Sequence, residues 1–324
     1  MTIKSVIAVF LVILVGLSLF ISIPILTLSS RLSNYTTIDE LLAFEYDPAN
    51  SSPIEKLNLN VDVGDVEIRY VNPPVDYFAK IVVLIEMISA SPAEKSYSDF
   101  FDIDWQDDTS PVNFSIEFKS DVDKSKVLSL IKNVTIVVNL RADIIFDILT
   151  TVKEGNVHIN IPYGVSVNNL VINTTKGDIL FDLTNCIIEG NITGIAQNGK
   201  IIFNSYELEY AQNCVWLLSS KKTNIFIAQS SPMSANITGT INTTEQVGTH
   251  LDYLDLTLEV GARLTLYDYR YSAIQNGTSE GFEFEIVPEG INRYRYISND
   301  FPAIFNYDLT FFIEGQLNFN LYSA

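Results

Sequence analysis

The sequence has little of the chemistry on which most enzymes depend. It contains only two histidines and two cysteines in 324 residues, and neither pair has the spacing of a metal site. Motifs for a nucleophilic serine, a zinc protease, a phosphate-binding loop or a dinucleotide site are absent from it. We therefore expect no cofactor and no enzymatic activity.

Basic residues are also scarce. Lysine and arginine total 20 against 39 aspartates and glutamates, which gives a formal net charge of −19. Nucleic acids and anionic lipid headgroups are bound by basic patches, so this balance argues against both as partners. Such acidity mainly keeps a protein soluble.

Three glycines recur at a fixed interval. Gly155, Gly177 and Gly199 are evenly spaced along the chain, and each precedes a stretch whose second and fourth residues are apolar, such as Ile179 and Phe181. This alternation is typical of a β-strand, and a fixed period in the range of about 20 to 50 residues is typical of a repeat architecture. We predict a mainly β protein, with a β-solenoid of about 22 residues per coil whose glycines turn corners at positive φ.

Polar residues repeat with the same interval. Asn160, Asp182 and Asn204 each follow a glycine by five residues, and stacked strands about 4.8 Å apart would align them as a hydrogen-bonded ladder. Asp178 and Lys200 also occupy equivalent positions, which predicts an ion pair on the sheet surface.

The amino-terminal run from Val6 to Leu28 carries no charged residue. At 1.5 Å per residue, a helix of this length exceeds the roughly 30 Å of a bilayer core. No small-x-small cleavage site follows it, so the pattern favours an uncleaved single-pass anchor over a signal peptide. The prediction is a cell-membrane protein that contacts lipid through this helix, with everything after Arg31 extracellular.

Asn-x-Ser/Thr triplets are scattered over the rest of the chain and favour an external location. The candidate glycosylation sites are Asn34, Asn50, Asn113, Asn133, Asn173, Asn191, Asn236, Asn242 and Asn276. An asparagine-rich β protein also generates such triplets without carrying any glycan, and this alternative stays open.

Four segments follow from these patterns: an anchor over 1–32, a juxtamembrane linker over 33–56, the solenoid over 57–250 and a carboxy-terminal β-strand cap over 251–324. Alternating or continuous apolar runs predict strands over 57–63, 79–88, 134–140 and 282–287. Within the linker, 38–44 is either a short capped helix or plain linker. A second short helix is predicted within 121–130.

The repeated stretches carry a family resemblance. Gly64-Asp65-Val66-Glu67-Ile68, Ile159-Asn160-Ile161-Pro162-Tyr163-Gly164-Val165 and Thr175-Lys176-Gly177-Asp178-Ile179 resemble the putative-adhesin β-strand repeat family, an uncharacterised group of bacterial and archaeal envelope proteins. The resemblance covers roughly residues 57–227. It implies a single-stranded solenoid exposed at the cell envelope, and its motifs carry no catalytic residues.

One histidine and one cluster of aspartates could have a chemical role. His158 falls at an outward position of the repeat, and we interpret it as a solvated surface histidine. Five aspartates crowd the segment 99–108 and supply the oxygen ligands that calcium prefers. Apolar residues interleave with them and no glycine takes the turn position, so an exposed strand edge is the favoured interpretation.

Cys186 and Cys214 share an Asn-Cys-aliphatic tripeptide. If the two residues stack on adjacent strands, their Cα separation of about 4.8 Å lies within the range of a disulfide. The other interpretation is a pair of small buried hydrophobes. We favour the second, because in-register strands aim the side chains side by side and strain a bridge.

The sequence predicts a surface protein with a structural, spacer or adhesion role, whose partners are envelope glycans or other surface proteins. One alternative is a carbohydrate-binding or sensing ectodomain, which would expose the aromatic residues Tyr206, Tyr210 and Trp216. A less favoured one is a polysaccharide lyase or hydrolase, which would cluster carboxylates and a base on one face. The residues available for that cluster are Asp178, Asp182, Glu189, Lys176 and Lys200.

Overall fold

The computed structural model describes residues 36–48, 52–89, 96–107, 111–229, 235–243, 251–258, 263–268, 274–280, 282–287, 292–298, 306–313 and 316–323. The anchor predicted over 6–28 lies outside these residues, as do Asn34, Asn50 and His250. Within them, no helix is long and apolar enough to cross a membrane. The described residues therefore give no support to the single-pass anchor, to its lipid contact or to the cell-membrane location, and we do not retain these predictions.

Strands dominate the described residues. Their bounds are β1 (Thr36–Tyr46), β2 (Glu55–Val63), β3 (Asp65–Val71), β4 (Ala79–Ser89), β5 (Phe101–Gln106), β6 (Val112–Phe118), β7 (Ile131–Arg141), β8 (Phe146–Glu154), β9 (Val157–Ile161), β10 (Ser166–Lys176), β11 (Ile179–Thr184), β12 (Ile187–Ile188), β13 (Ile192–Tyr206), β14 (Glu209–Tyr210), β15 (Cys214–Gln229), β16 (Ile237–Thr243), β17 (Leu251–Leu258), β18 (Arg263–Asp268), β19 (Ile274–Glu280), β20 (Phe282–Val287), β21 (Asn292–Ser298), β22 (Asn306–Ile313) and β23 (Gln316–Ser323). A helix, α1 (Lys124–Leu128), and a 3₁₀ turn over Tyr97–Asp99 interrupt them. The strands predicted over 57–63, 79–88, 134–140 and 282–287 are confirmed.

All 23 strands of the described residues belong to one hydrogen-bonded sheet. The two-residue strands β12 and β14 branch from β10, and the other strands follow two paths. Path one runs β1-β4-β7-β3-β9-β11-β13-β15-β17-β23-β19. Path two runs β5-β6-β2-β8-β10-β13-β15-β16-β22-β18-β21-β20. The long strands β13 and β15 belong to both paths and join them.

The predicted solenoid with a separate carboxy-terminal cap is wrong. Antiparallel pairs occur towards both ends of the sheet, for example β1 with β4 and β20 with β21. Strand β2 lies between β6 and β8, although both of these strands come from much later in the chain. The segment after residue 250 supplies strands of the same sheet, since β22 and β23 pair in parallel with β16 and β17. One continuous mixed sheet therefore replaces the uniform coils and their cap.

The interval between the glycines does correspond to a local register. Strands β9, β11 and β13 pair in parallel so that Ile159, Phe181 and Phe203 are neighbours. All three are buried, and the rings of Phe181 and Phe203 lie 5.5 Å apart. The ring of Trp216, a register partner of Ile192 on path two, packs against this column with its centroid 4.8 Å from that of Phe203. The alternation read from the sequence therefore identified the inward-facing side chains correctly.

The repeated glycines lie where the backbones of stacked turns approach each other. Gly155 and Gly177 have φ of +149° and +148°, whereas Gly199 lies outside the positive-φ region. A Cβ atom on Gly177 would overlap the carbonyl group of Gly155, and one on Gly199 would overlap that of Gly177. Two of the three positions thus have the predicted φ, and all three lack room for a side chain.

Two local predictions had different outcomes. The short helix within 121–130 is confirmed as α1, whose N-cap Asp123 accepts hydrogen bonds from the N–H groups of Ser125 and Lys126. The helix considered over 38–44 is wrong, because these residues belong to β1 and pair throughout with β4. Pairing along a whole strand outweighs the weak local preference of a capping pattern.

Candidate functional site

A ladder of side-chain hydrogen bonds climbs path one beside the glycines. The carboxylate of Asp65 accepts from the N–H of Asn156 at 2.7 Å, and Asn156 Oδ1 accepts from the N–H of Asp178 at 2.9 Å. Asp178 Oδ1 in turn accepts from the N–H of Lys200 at 2.9 Å. These bonds satisfy backbone donors that the turns would otherwise leave unpaired. The sequence signal for the ladder is an Asp or Asn directly after the glycine, which the sequence analysis missed.

Path two carries a second ladder of the same kind. The carboxylate of Asp147 accepts a hydrogen bond from the N–H of Asn169 at 3.0 Å. Asn169 Oδ1 accepts from the N–H of Asn191 at 2.9 Å, and Asn191 Oδ1 accepts from the N–H of Val215 at 2.9 Å. Polar side chains at these corners therefore hold the stacked turns together.

The ladder predicted at Asn160, Asp182 and Asn204 forms in part. Asp182 Oδ1 accepts from Asn204 Nδ2 at 2.7 Å, and Asp182 Oδ2 lies 2.9 Å from His158 Nε2. The side chain of His158 is 39% exposed. His158 thus faces outward as predicted, and it also gains a carboxylate partner.

The residues considered for a polysaccharide-active site are engaged in separate contacts. Lys176 Nζ lies 2.6 Å from Glu154, and Lys200 Nζ lies 3.5 Å from Asp178 in the ion pair that the sequence predicted. The backbone carbonyl of Glu189 accepts a hydrogen bond from Gln212. Sugar hydrolysis usually requires two carboxyl groups that flank one glycosidic bond, and none of these contacts brings two of the considered carboxylates together.

Both cysteines are free thiols in the structure. Burial raises the pKa of Cys186 and that of Cys214 to about 12. Neither thiol forms the thiolate needed for nucleophilic or redox chemistry at neutral pH. The structure therefore agrees with the interpretation as small buried hydrophobes, and the disulfide is not formed.

The aromatic residues considered for sugar stacking do not form an exposed row. Tyr210 and Trp216 are 2% and 0% exposed, whereas Tyr206 is 50% exposed. The rings of Trp216 and Tyr307 lie 6.2 Å apart inside the core. Aromatic side chains here mainly fill the interior of the sheet.

The acidic segment lies partly on an edge strand. Asp102 and Asp104 are exposed on β5, and Asp99 closes a capping box with Ser96. Asp108 lies outside the described residues. Among those described, no three His, Cys, Asp or Glu side chains are placed to hold a metal ion.

Six of the candidate glycosylation sites lie in the described strands and turns with their side chains: Asn113, Asn133, Asn173, Asn191, Asn236 and Asn242. The side chain of Asn276 lies outside the description. Asn113 Nδ2 donates to the carbonyl of Pro111 at 3.1 Å, so the nitrogen that would carry a glycan is already engaged. Glycosylation stays a prediction.

Exposed apolar side chains lie on the outward side of path two. Leu149, Val171, Thr193 and Leu217 are successive register partners on β8, β10, β13 and β15. Val215 lies two residues before Leu217 and on the same side of β15. Leu149, Val215 and Leu217 are 40%, 52% and 37% exposed. We call Leu149, Val171, Val215 and Leu217 the apolar row.

The same side of path two becomes polar towards β5. In register with Leu149 lie Asn58 and then Asn113, and the next row carries Thr151, Asn60 and Ser115. These short side chains border a cavity of about 220 Å³. We call this cavity the amide pocket, and its polar lining consists of Asn58, Asn60, Asp104, Asn113, Ser115 and Thr151. The sequence signal that was missed is Asn-x-Asn on β2 and Asn-x-Ser on β6.

A buried ion pair lies beside the amide pocket. Asp62 is 3% exposed, and its carboxylate lies 2.5 Å from Lys153 Nζ and accepts the N–H of Phe118 at 3.0 Å. Burial favours the neutral acid, but the hydrogen bonds from Lys153 and Phe118 outweigh it and lower the pKa of Asp62. The ammonium group of Lys153 is therefore already paired with a carboxylate.

No family model and no curated protein matches the chain. Among solved structures, it is similar to a putative cell adhesion protein from Clostridium sporogenes, with 12% identity over 88% of this chain and 100% of that one and a TM-score of 0.31. A putative adhesin from Bacteroides fragilis has 11% identity over 88% and 97% of the two chains and a TM-score of 0.35. A putative lipid binding protein from Parabacteroides distasonis has 12% identity over 87% and 96%, with a TM-score of 0.29. The names of the first two agree in kind with the resemblance seen in the sequence, but similarities this weak support no argument.

Proposed function

We propose that this chain is a non-enzymatic structural module with an adhesion role. The observation that carries the proposal is the apolar row, where Leu149, Val215 and Leu217 are exposed on the same side of the sheet. Exposed apolar side chains that lie together are typical of a contact surface. The interior of the sheet is occupied by packed aromatic and aliphatic side chains, which suits a rigid scaffold rather than a catalytic cavity.

The partner we propose is a protein with a basic surface and an apolar contact patch. A net charge of −19 repels acidic partners and attracts basic ones at long range. The apolar row would then supply the short-range contact, because apolar area removed from water gives most of the free energy of association. Nucleic acid remains excluded as a partner in this proposal.

Bead adhesion tests this proposal. Beads coated with the full chain are passed over surfaces carrying a basic probe protein such as lysozyme, an acidic protein or neutral dextran. We expect retention on the basic protein and its loss in Leu217→Asp. Because this substitution adds a negative charge, purely electrostatic adhesion would persist or increase. The matched control is Leu41→Asp on β1, where the leucine is 69% exposed but far from the apolar row in register.

Equal retention of the wild type and Leu217→Asp would overturn the role of the apolar row. Retention on dextran alone would replace the protein partner by a saccharide. An equal loss in Leu41→Asp would show that the loss is not specific to the apolar row and would overturn its role as well.

A further inference from the structure

We propose that the amide pocket binds a single neutral sugar ring. The cavity lies on the outward side of β2, β5, β6 and β8 and has no exposed aromatic platform. The pocket meets the apolar row at Leu149 on β8, but its polar contacts come from residues that do not belong to the row.

The pocket offers hydrogen bonds of the kind that sugar hydroxyls need. Asn58 Nδ2 donates to Asn113 Oδ1 at 2.9 Å, and Asn60 Nδ2 donates to Glu117 at 2.8 Å. The amide nitrogens are thus oriented by neighbours, and the carbonyl oxygens of Asn58 and Asn60 accept no hydrogen bond from the described residues. An amide oxygen can accept two hydrogen bonds, and a hydroxyl both donates and accepts.

Two hydroxyl groups and one carboxylate complete the polar lining. Ser115 and Thr151 flank Asn60 on the neighbouring strands β6 and β8. Asp104 lies opposite Ser115 on β5, and its carboxylate accepts a hydrogen bond from Gln106 at 2.6 Å. A sugar hydroxyl can donate to a carboxylate oxygen and accept from a serine or threonine. Leu149 at the rim adds an apolar contact for the C–H groups of the ring.

Size limits the ligand to one ring, and charge excludes an anionic one. The volume of about 220 Å³ is below the roughly 300 to 1,000 Å³ of pockets for drug-sized ligands, so a monosaccharide fits better than an oligosaccharide. Asp104 and the nearby Glu117 disfavour an anionic sugar. Lys153 on β8 does not offset them, because its ammonium group already pairs with the buried Asp62.

The pocket is preorganised by the sheet. Asn58, Asn60, Asn113 and Ser115 project from in-register parallel strands whose inward neighbours Leu59 and Phe114 are buried. Little side-chain or loop ordering is then needed on binding, which lowers its entropic cost. The alternation of the strands therefore holds the polar groups on one surface with fixed spacing.

Saturation-transfer NMR on the full chain tests the proposal. The protein is made in a host without N-glycosylation, because Asn113 begins a glycosylation triplet. The probes are glucose, galactose, mannose and N-acetylglucosamine, with glucuronic acid and glucosamine as charged comparisons. We expect weak, millimolar binding of at least one neutral sugar and weaker binding of glucuronic acid.

Two pocket variants and one control locate the site. Asn58→Leu removes the acceptor, and Thr151→Val removes a hydroxyl with almost no change of shape, so each should weaken binding by about tenfold or more. Asn242→Leu changes an outward asparagine of β16, four strands away from Thr151 in the same row, and should leave binding unchanged. Circular dichroism establishes that each variant is folded.

Three results would overturn the proposal. They are the absence of binding by every neutral sugar, tighter binding of glucuronic acid than of any neutral sugar, and binding that survives both Asn58→Leu and Thr151→Val in folded protein. If Asn58→Leu or Thr151→Val loses sugar binding but beads coated with the same variant adhere as the wild type does, the pocket and the apolar row have separate roles.

Discussion

Alanine substitutions along the glycines can separate backbone strain from lack of space. Gly177 combines both effects, since its φ is +148° and a Cβ atom would overlap the carbonyl of Gly155. Gly199 has the same overlap with Gly177 but no positive φ. Gly164 has a φ of +76° and no neighbouring atom within 4 Å of an added Cβ.

The expected costs follow from these geometries. An unfavourable φ costs about 1–3 kcal/mol, and forcing extra atoms into a packed site costs about 1–3 kcal/mol. Moving the carbonyl of Gly155 would break neighbouring hydrogen bonds. The N–H of Gly155 donates to the carbonyl of Lys176 at 2.8 Å, and that of Val157 donates to the carbonyl of Asp178 at 2.9 Å. We therefore expect the free energy of unfolding to fall by about 2–6 kcal/mol in Gly177→Ala, by about 1–3 kcal/mol in Gly199→Ala and by about 1–2 kcal/mol in Gly164→Ala.

Denaturant unfolding of the full chain measures these losses, with circular dichroism as the signal. The predicted order is a large loss for Gly177→Ala and smaller losses for Gly199→Ala and Gly164→Ala. A neutral Gly199→Ala would show that the stacked carbonyl does not exclude a side chain. A loss at Gly164 equal to that at Gly177 would show that φ alone accounts for the effect.

Three further predictions concern the core and its titratable groups. Phe181→Ala should destabilise the sheet by about 3–5 kcal/mol, because it empties a buried position between Ile159 and Phe203. Leu180→Ala on the outward side should cost much less, and equal losses in denaturant titration would mean that the strand faces are misassigned. Ionised Asp62 should contribute its full stabilisation above its unfolded pKa of about 3.9, and this contribution should be lost as the pH falls through the lower pKa of the folded state. In Asp62→Asn, the free energy of unfolding should therefore fall less steeply at acidic pH than in the wild type. An unchanged fall at acidic pH would contradict this. Cys186 and Cys214 should react with a thiol reagent only on unfolding, because burial raises the pKa of both thiols to about 12; fast labelling of the native protein would refute that.

Several features of the fold could be read from the sequence because they depend on neighbours along the chain. Alternating side chains identified Phe181 and Phe203 as inward residues, since successive residues of a strand point to opposite sides. The ion pair of Asp178 and Lys200 followed from their equal distance after a glycine. Both features could be predicted by comparing residues at alternate positions of one strand, or residues separated by one interval of the glycine repeat.

Other features depended on which strands become neighbours. The sequence gives no sign that β2 inserts between β6 and β8, or that β22 and β23 extend the sheet from β16 and β17. The assumption of uniform coils produced the solenoid and its cap. Pairing of strands from distant parts of the chain depends on the whole set of contacts, so no local pattern records it.

The candidate sites show the same division. Residue order alone was enough to establish a β protein, its inward-facing residues and an acidic chain without a catalytic motif. The pairing of distant strands was needed to bring Asn58, Asn113 and Leu149 side by side and to bury Trp216 rather than expose it. Alternation assigns a residue to one side of its own strand. The surroundings of that side are set by the strands that pack around it, and these are chosen by the free energy of the complete sheet.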